Sequence, residues 1–167
     1  MTTLEKKIKM SAKDNQLKRL RTWYALEAVI EIRSRGFHRA GFGKLLIPHP
    51  PAVNWLLRYG LPDKPYYRLS IVHEFGHFQT LPILLIYVLW SVRWLFTRAS
   101  VNVLELTVVF LSIHSMAEIL AEGYVYFKMK GDYRDFYGKA SLLPRLAFWT
   151  IFLLISAAGW LVLLNLI

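Results

Sequence analysis

The 167-residue chain is 55% hydrophobic and 15% aromatic, with a mean hydropathy of +0.33, values that fit a membrane protein better than a soluble one. It has no cysteine, which excludes disulfides and thiolate metal sites and leaves histidine and carboxylate to ligate any transition metal. The formal charge of +10 is clustered, with 14 of the 21 Lys and Arg at or before Arg68, a pattern that points to anionic lipid and a cytoplasmic N-terminal end rather than to nucleic acid.

Residues 1–65 read as a basic cytoplasmic or interfacial region. The first 22 residues are basic with no apolar run behind them, so no cleavable signal peptide is expected. A helix is predicted from an N-cap at Asp14 or Asn15 to Arg35, ending at Gly36. Its apolar centre, residues 23–32, spans only about ten residues, too few to cross a bilayer, so the expectation is an amphipathic or interfacial helix. Glu27 and Glu31 would share one face of it. Residues 36–65 hold most of the glycines and prolines and read as loop, with one short helix over 52–59 and with His38 and His49 as ordinary loop histidines.

Residues 66–167 read as a three-span membrane domain, making the fold class all-α, with about three transmembrane helices. The first span, 66–96, starts just after Pro65, with Asp63 as cap, and carries a kink at Pro82. The second runs over 101–127 and the third over 142–167. Only Arg93 and Arg98 flank the first turn, whereas Lys128, Lys130, Arg134, Lys139 and Arg145 surround the second loop. The chain is therefore expected to be an integral, multi-pass protein with a cytoplasmic N-terminus and a C-terminus on the far side, in a prokaryotic cell membrane.

Within the first span, His73, Glu74 and His77 form the pattern H-E-x-x-H. Positions four apart on a helix differ by about 40° in azimuth and about 6 Å in height, so both imidazoles can reach one metal ion, zinc above all. Glu74 projects about 100° away, where it can take a proton from an activated water. Ile71, Val72, Phe75 and Phe78 supply a dry surround.

The second span carries Glu105, His114, Glu118 and Glu122, and ionisable groups inside a membrane default to function. If the first two spans form an antiparallel hairpin turning at residues 98 and 99, equal counts from the turn give equal depth. His77 is then level with Leu120 and His73 with Tyr124. Glu118 and Glu122 bracket that window, so one of them supplies the third ligand, while His114 lies about 9 Å nearer the turn, behind the ligands or facing substrate. Glu105 falls near the level of Arg93 and is expected to pair with it.

These strings, His-Glu-Phe-Gly-His, a hairpin, then Glu118-Ile-Leu-Ala-Glu122, resemble the M48 family of membrane zinc metallopeptidases, of the HtpX and Ste24 type. The resemblance covers residues 66–130 and implies that His73, His77 and Glu118 bind zinc, that Glu74 is the general base, and that Glu122 stands where the family has Asp behind the ligands. The local string around His73 is also similar to site-2 proteases. The expected activity is zinc-dependent hydrolysis of a peptide or membrane-protein substrate near the cytoplasmic face. Two other classes stay open. One is a di-iron carboxylate oxidase or hydroxylase built on Glu74, His77, Glu27, Glu31, Glu118 and Glu122; the other is a non-catalytic membrane scaffold. The oligomeric state is undetermined.

Overall fold

The computed structural model describes residues 18–33, 39–41, 43–48, 63–129 and 142–165. Helix α1 (Asp63–Thr97), helix α2 (Val103–Met129) and helix α3 (Leu142–Leu163) are each long and apolar enough to cross a membrane. The 22 residues of α3 cover about 33 Å at 1.5 Å per residue, matching a hydrocarbon core of about 30 Å. With 35 residues, α1 is about 50 Å long, so one end projects past the bilayer. Exposed Ile83, Ile86 and Leu89 on α1, Phe110 on α2 and Leu154 on α3 form the lipid-facing surface that such helices need.

The three helices stand in a row. α2 packs along both neighbours, while α1 and α3 touch little. With lipid outside as apolar as any side chain, close approach decides such contacts. Gly159 of α3 provides one: a Cβ there would run into Ser112, whose hydroxyl is 2.8 Å from the Tyr87 hydroxyl. Ser112 donates onward to the Val109 carbonyl at 2.7 Å, so Tyr87 donates to Ser112. Below them Tyr87, Trp94, Val109, Val162 and Leu163 form one apolar cluster.

At the turn between α1 and α2, Asn102 and Glu105 cap α2 reciprocally. The Glu105 N–H donates to Asn102 Oδ1 at 2.8 Å, and the Asn102 N–H donates to Glu105 Oε2 at 3.0 Å. The expected partner of Glu105 was Arg93; it is instead Arg98, at 3.2 Å, which also donates to Asn165 Oδ1 and lies over the Trp94 ring. The cap turns the Glu105 carboxylate back toward the loop, out of Arg93's reach, and Arg98 sits there.

The N-terminal region corrects the sequence reading. Where an interfacial helix was expected over 14–35, the chain forms strands β1 (Lys18–Arg21) and β2 (Glu27–Arg33); within the expected loop it forms β3 (Arg39–Gly41) and β4 (Lys44–Pro48). They make one sheet in the order β1-β2-β4-β3, with β2 and β4 parallel and the other pairs antiparallel. The tight turn after β1 needs Ala25 at a φ of 71°, and Thr22 closes it by exchanging hydrogen bonds with Leu26. Alternation then decides the faces: Leu20, Ala28, Ile30 and Leu45 pack on Ile71, Phe75 and Phe78 of α1. The expected helix over 52–59, His38 and His49 lie outside the described residues.

Pro82 explains where the sheet is fastened. Proline has no N–H, so the carbonyl of Phe78, four residues earlier, loses its helical partner. The Tyr24 hydroxyl donates to that carbonyl. Trp23 grips the next residue, its indole N–H donating to the Gln79 carbonyl at 2.9 Å and its backbone N–H to Gln79 Oε1 at 3.3 Å. A gap in the helix one turn beyond His77 is thus filled by the β1–β2 turn.

Candidate metal centre

His73 and His77 lie on the face of α1 that meets α2, and Gly76 between them sets the distance. A Cβ at position 76 would lie 2.8 Å from the Ala121 carbonyl oxygen and 3.1 Å from its Cα, so hydrogen alone fits there. Tyr66, Leu69 and Val72 pack on Val125 and Met129 just beyond, and the two helices are held together on that side of Gly76.

This approach brings the carboxylates of α2 onto both imidazoles. Glu118 Oε2 is 3.2 Å from His73 Nε2, and Glu118 Oε1 is 3.6 Å from His77 Nε2. Glu122 Oε2 lies behind, 3.1 Å from His73 Nδ1. The side chains of His73, His77 and Glu118 are less than a fifth exposed, and that of Glu122 is 6% exposed. Both candidates for the third ligand therefore reach the histidines, but they do so differently. Glu118 faces the Nε2 atoms of the pair, whereas Glu122 faces the Nδ1 of one.

The donor set fits a metal. Two donors on a tetrahedral zinc, with bonds of about 2.0–2.1 Å, lie about 3.4 Å apart, and the two Glu118–histidine distances fall on either side of that value. A neutral imidazole has one N–H and cannot donate to Glu118 and Glu122 together. An imidazolium, which has two N–H groups, satisfies both carboxylates, and so does a cation between Nε2 and Glu118 with Nδ1–H donating to Glu122. Ligand atoms of His73, Glu74 and His77 also come within 4.8 Å of one another. Glu118 is not in that mutual group: it approaches the two histidines with different oxygens, Oε2 toward His73 and Oε1 toward His77.

Glu74 is buried and lines a cleft of about 450 Å³ together with His77 and Glu118. Leu81 and Leu84 of α1 and Ala117 and His114 of α2 carry this cleft away from the sheet, and Ala40 and Gly41 of β3 form its rim. His114 is exposed within it, its ring against Phe152 of α3 at 5.9 Å.

Glu27 and Glu31 lie elsewhere. They alternate with Ala28 and Ile30, which face α1, so they occupy the opposite face of β2, and Glu27 pairs with Arg19 at 3.8 Å. The role of β3 was missed by sequence reasoning, since three residues beside glycine give no strand signal. Gly76 did carry one: a glycine inside a helix pattern marks close approach.

No protein-family model matches the chain, and no curated protein or solved structure was found to resemble it.

Proposed function

We propose that this protein is a membrane-embedded zinc metallopeptidase. The observation that carries the reading is the Glu118 carboxylate turned toward Nε2 of both His73 and His77, with Glu74 lining the same cleft. His73, His77 and Glu118 would hold the ion, and Glu122 would fix the His73 ring by accepting its Nδ1–H. A zinc ion in such a site acts as a Lewis acid toward a carbonyl and makes water nucleophilic at neutral pH. Glu74 would take a proton from the attacking water as the new C–O bond forms, and would pass it to the nitrogen of the leaving amine as the peptide C–N bond then breaks.

The rim of the cleft favours a peptide over a smaller substrate. Among the described residues β3 is the last strand of its sheet, and its Ala40 and Gly41 line the cleft together with Glu74 and His77. A peptide can lie along such an edge in extended form. Nothing stands within 4 Å of a Cβ placed on Gly41, so the rim leaves room for substrate side chains. The resemblance of residues 66–130 to the M48 family supports the same reading, and the basic N-terminal region supports a cytoplasmic sheet side.

The test is Glu74→Gln in protein reconstituted with zinc. The variant should keep its metal and lose hydrolysis of a casein-derived or membrane-peptide substrate by at least about a hundredfold. Full activity, or loss of zinc, would overturn the assignment of Glu74.

A further inference from the structure

His114 is the polar side chain of the cleft to which peptide hydrolysis assigns no part. It lies eleven residues beyond Val103, where α2 begins, a rise of about 16 Å at 1.5 Å per residue, which is near the middle of a core about 30 Å thick. An ionisable ring at that depth is costly unless something uses it. His114 is exposed and has no hydrogen-bond partner among the described residues; its ring lies 5.9 Å from that of Phe152, and it is close enough to His77 and Glu118 to interact with them electrostatically.

The cleft around it has two unlike walls. Leu81 and Leu84 line the α1 side and are apolar; His114, one turn below Glu118, lies on the α2 side. One helical turn rises about 5.4 Å, and an extended peptide advances about 3.3 Å per residue. A peptide whose scissile carbonyl sits at Glu118 and which runs down the cleft therefore passes His114 about two residues later. There its backbone is inside the hydrocarbon and stripped of helical hydrogen bonds, at a cost of several kcal/mol per unpaired group.

We infer that His114 is a substrate-binding residue: its imidazole N–H donates to a backbone carbonyl about two residues from the scissile bond, while a large apolar side chain of the same segment lies against Leu81 and Leu84. The inference rests on the peptidase reading for the direction of the substrate. It assigns as substrate a peptide segment drawn from the bilayer, its β3-paired part at the surface and its apolar part below the metal centre.

The experiment uses zinc-loaded full-length protein carrying Glu74→Gln, in lipid nanodiscs. The probe is a fluorescent Leu/Ala-rich peptide of about 20 apolar residues with Asn-Gly near one end to weaken its helix. Adding His114→Ala should weaken binding about tenfold, as expected for one lost buried hydrogen bond. His114→Gln, which keeps an N–H donor, should recover most of it, and zinc content should stay unchanged in both. Leu84→Trp, which fills the apolar wall, should weaken binding with the metal retained. Equal binding by all variants, no binding of the probe by any, or zinc lost with His114→Ala would each overturn the inference. His114-dependent binding by a protein that, with Glu74 restored, never cleaves the probe would uphold the subsite and remove the peptidase reading instead.

Discussion

Gly76 of α1 lies against the backbone of Ala121 of α2, so close that a methyl group at position 76 would stand 2.8 Å from the Ala121 carbonyl oxygen. That contact sets the level at which His73 and His77 of α1 face Glu118 and Glu122 of α2. It joins the one residue between Glu74 and His77 that has no side chain to the stretch of α2 between Glu118 and Glu122.

Gly76→Val should therefore force the helices apart and pull Glu118 from the histidines. We expect zinc affinity to fall by about tenfold or more with an overpacking cost of about 1–3 kcal/mol. Gly123→Ala is the control, because a Cβ there meets nothing within 4 Å and should leave both unchanged. Zinc titration with a chelator as competitor reads the difference.

Glu118 and Glu122 should separate in the same assay. Glu122→Ala leaves the ligands in place but frees the His73 ring, so affinity should drop by about 10–100-fold, the usual effect of losing a carboxylate behind a ligating histidine. Glu118→Ala should lose stoichiometric zinc altogether. The reverse order would make Glu122 the ligand.

Pro82 and Tyr24 should be coupled. Tyr24→Phe removes the donor that serves the orphaned Phe78 carbonyl, and should loosen the sheet by about 1 kcal/mol. Pro82→Ala restores a helical N–H to that carbonyl, so Tyr24→Phe in its background should have much less effect. Hydrogen exchange of the Leu20, Ile30 and Leu45 amides, which report docking of the sheet on α1, measures each corner of the cycle. Additive effects would mean that the hydroxyl does not compensate for the missing N–H.

Gly159→Leu should detach α3 from α2, since even a methyl group at that position meets Ser112 and the Tyr87 hydroxyl. A loss of about 1–3 kcal/mol is expected, seen as a lower unfolding temperature in detergent, with zinc content unaltered because the candidate metal centre lies between α1 and α2.

The membrane part of this fold was legible because long apolar runs have few alternatives, and counting from the turn put His77 level with Leu120 and His73 with Tyr124, within about 3 Å of Glu118 and Glu122. The Gly76–Ala121 contact falls on the same count. The N-terminal sheet was not legible, for a reason visible in Glu27 and Glu31. A spacing of four fits one helix face, yet four is also a multiple of two, so the same residues share one face of a strand. Ala28 and Ile30 between them are apolar in either reading. Arg98 was overlooked as partner of Glu105 because depth counting ignores caps, although Asn102-x-x-Glu105 is itself a capping signal. The rim made by Ala40 and Gly41 depends on a sheet order that short strands do not announce.

The most direct measurement is the metal content of the purified protein beside His73→Ala and Glu118→Ala, by elemental analysis after gentle solubilisation. About one zinc per chain, absent from both variants, is the predicted result, as a site with three protein ligands requires. About two irons per chain, or no metal retained even after incubation with zinc, would contradict it.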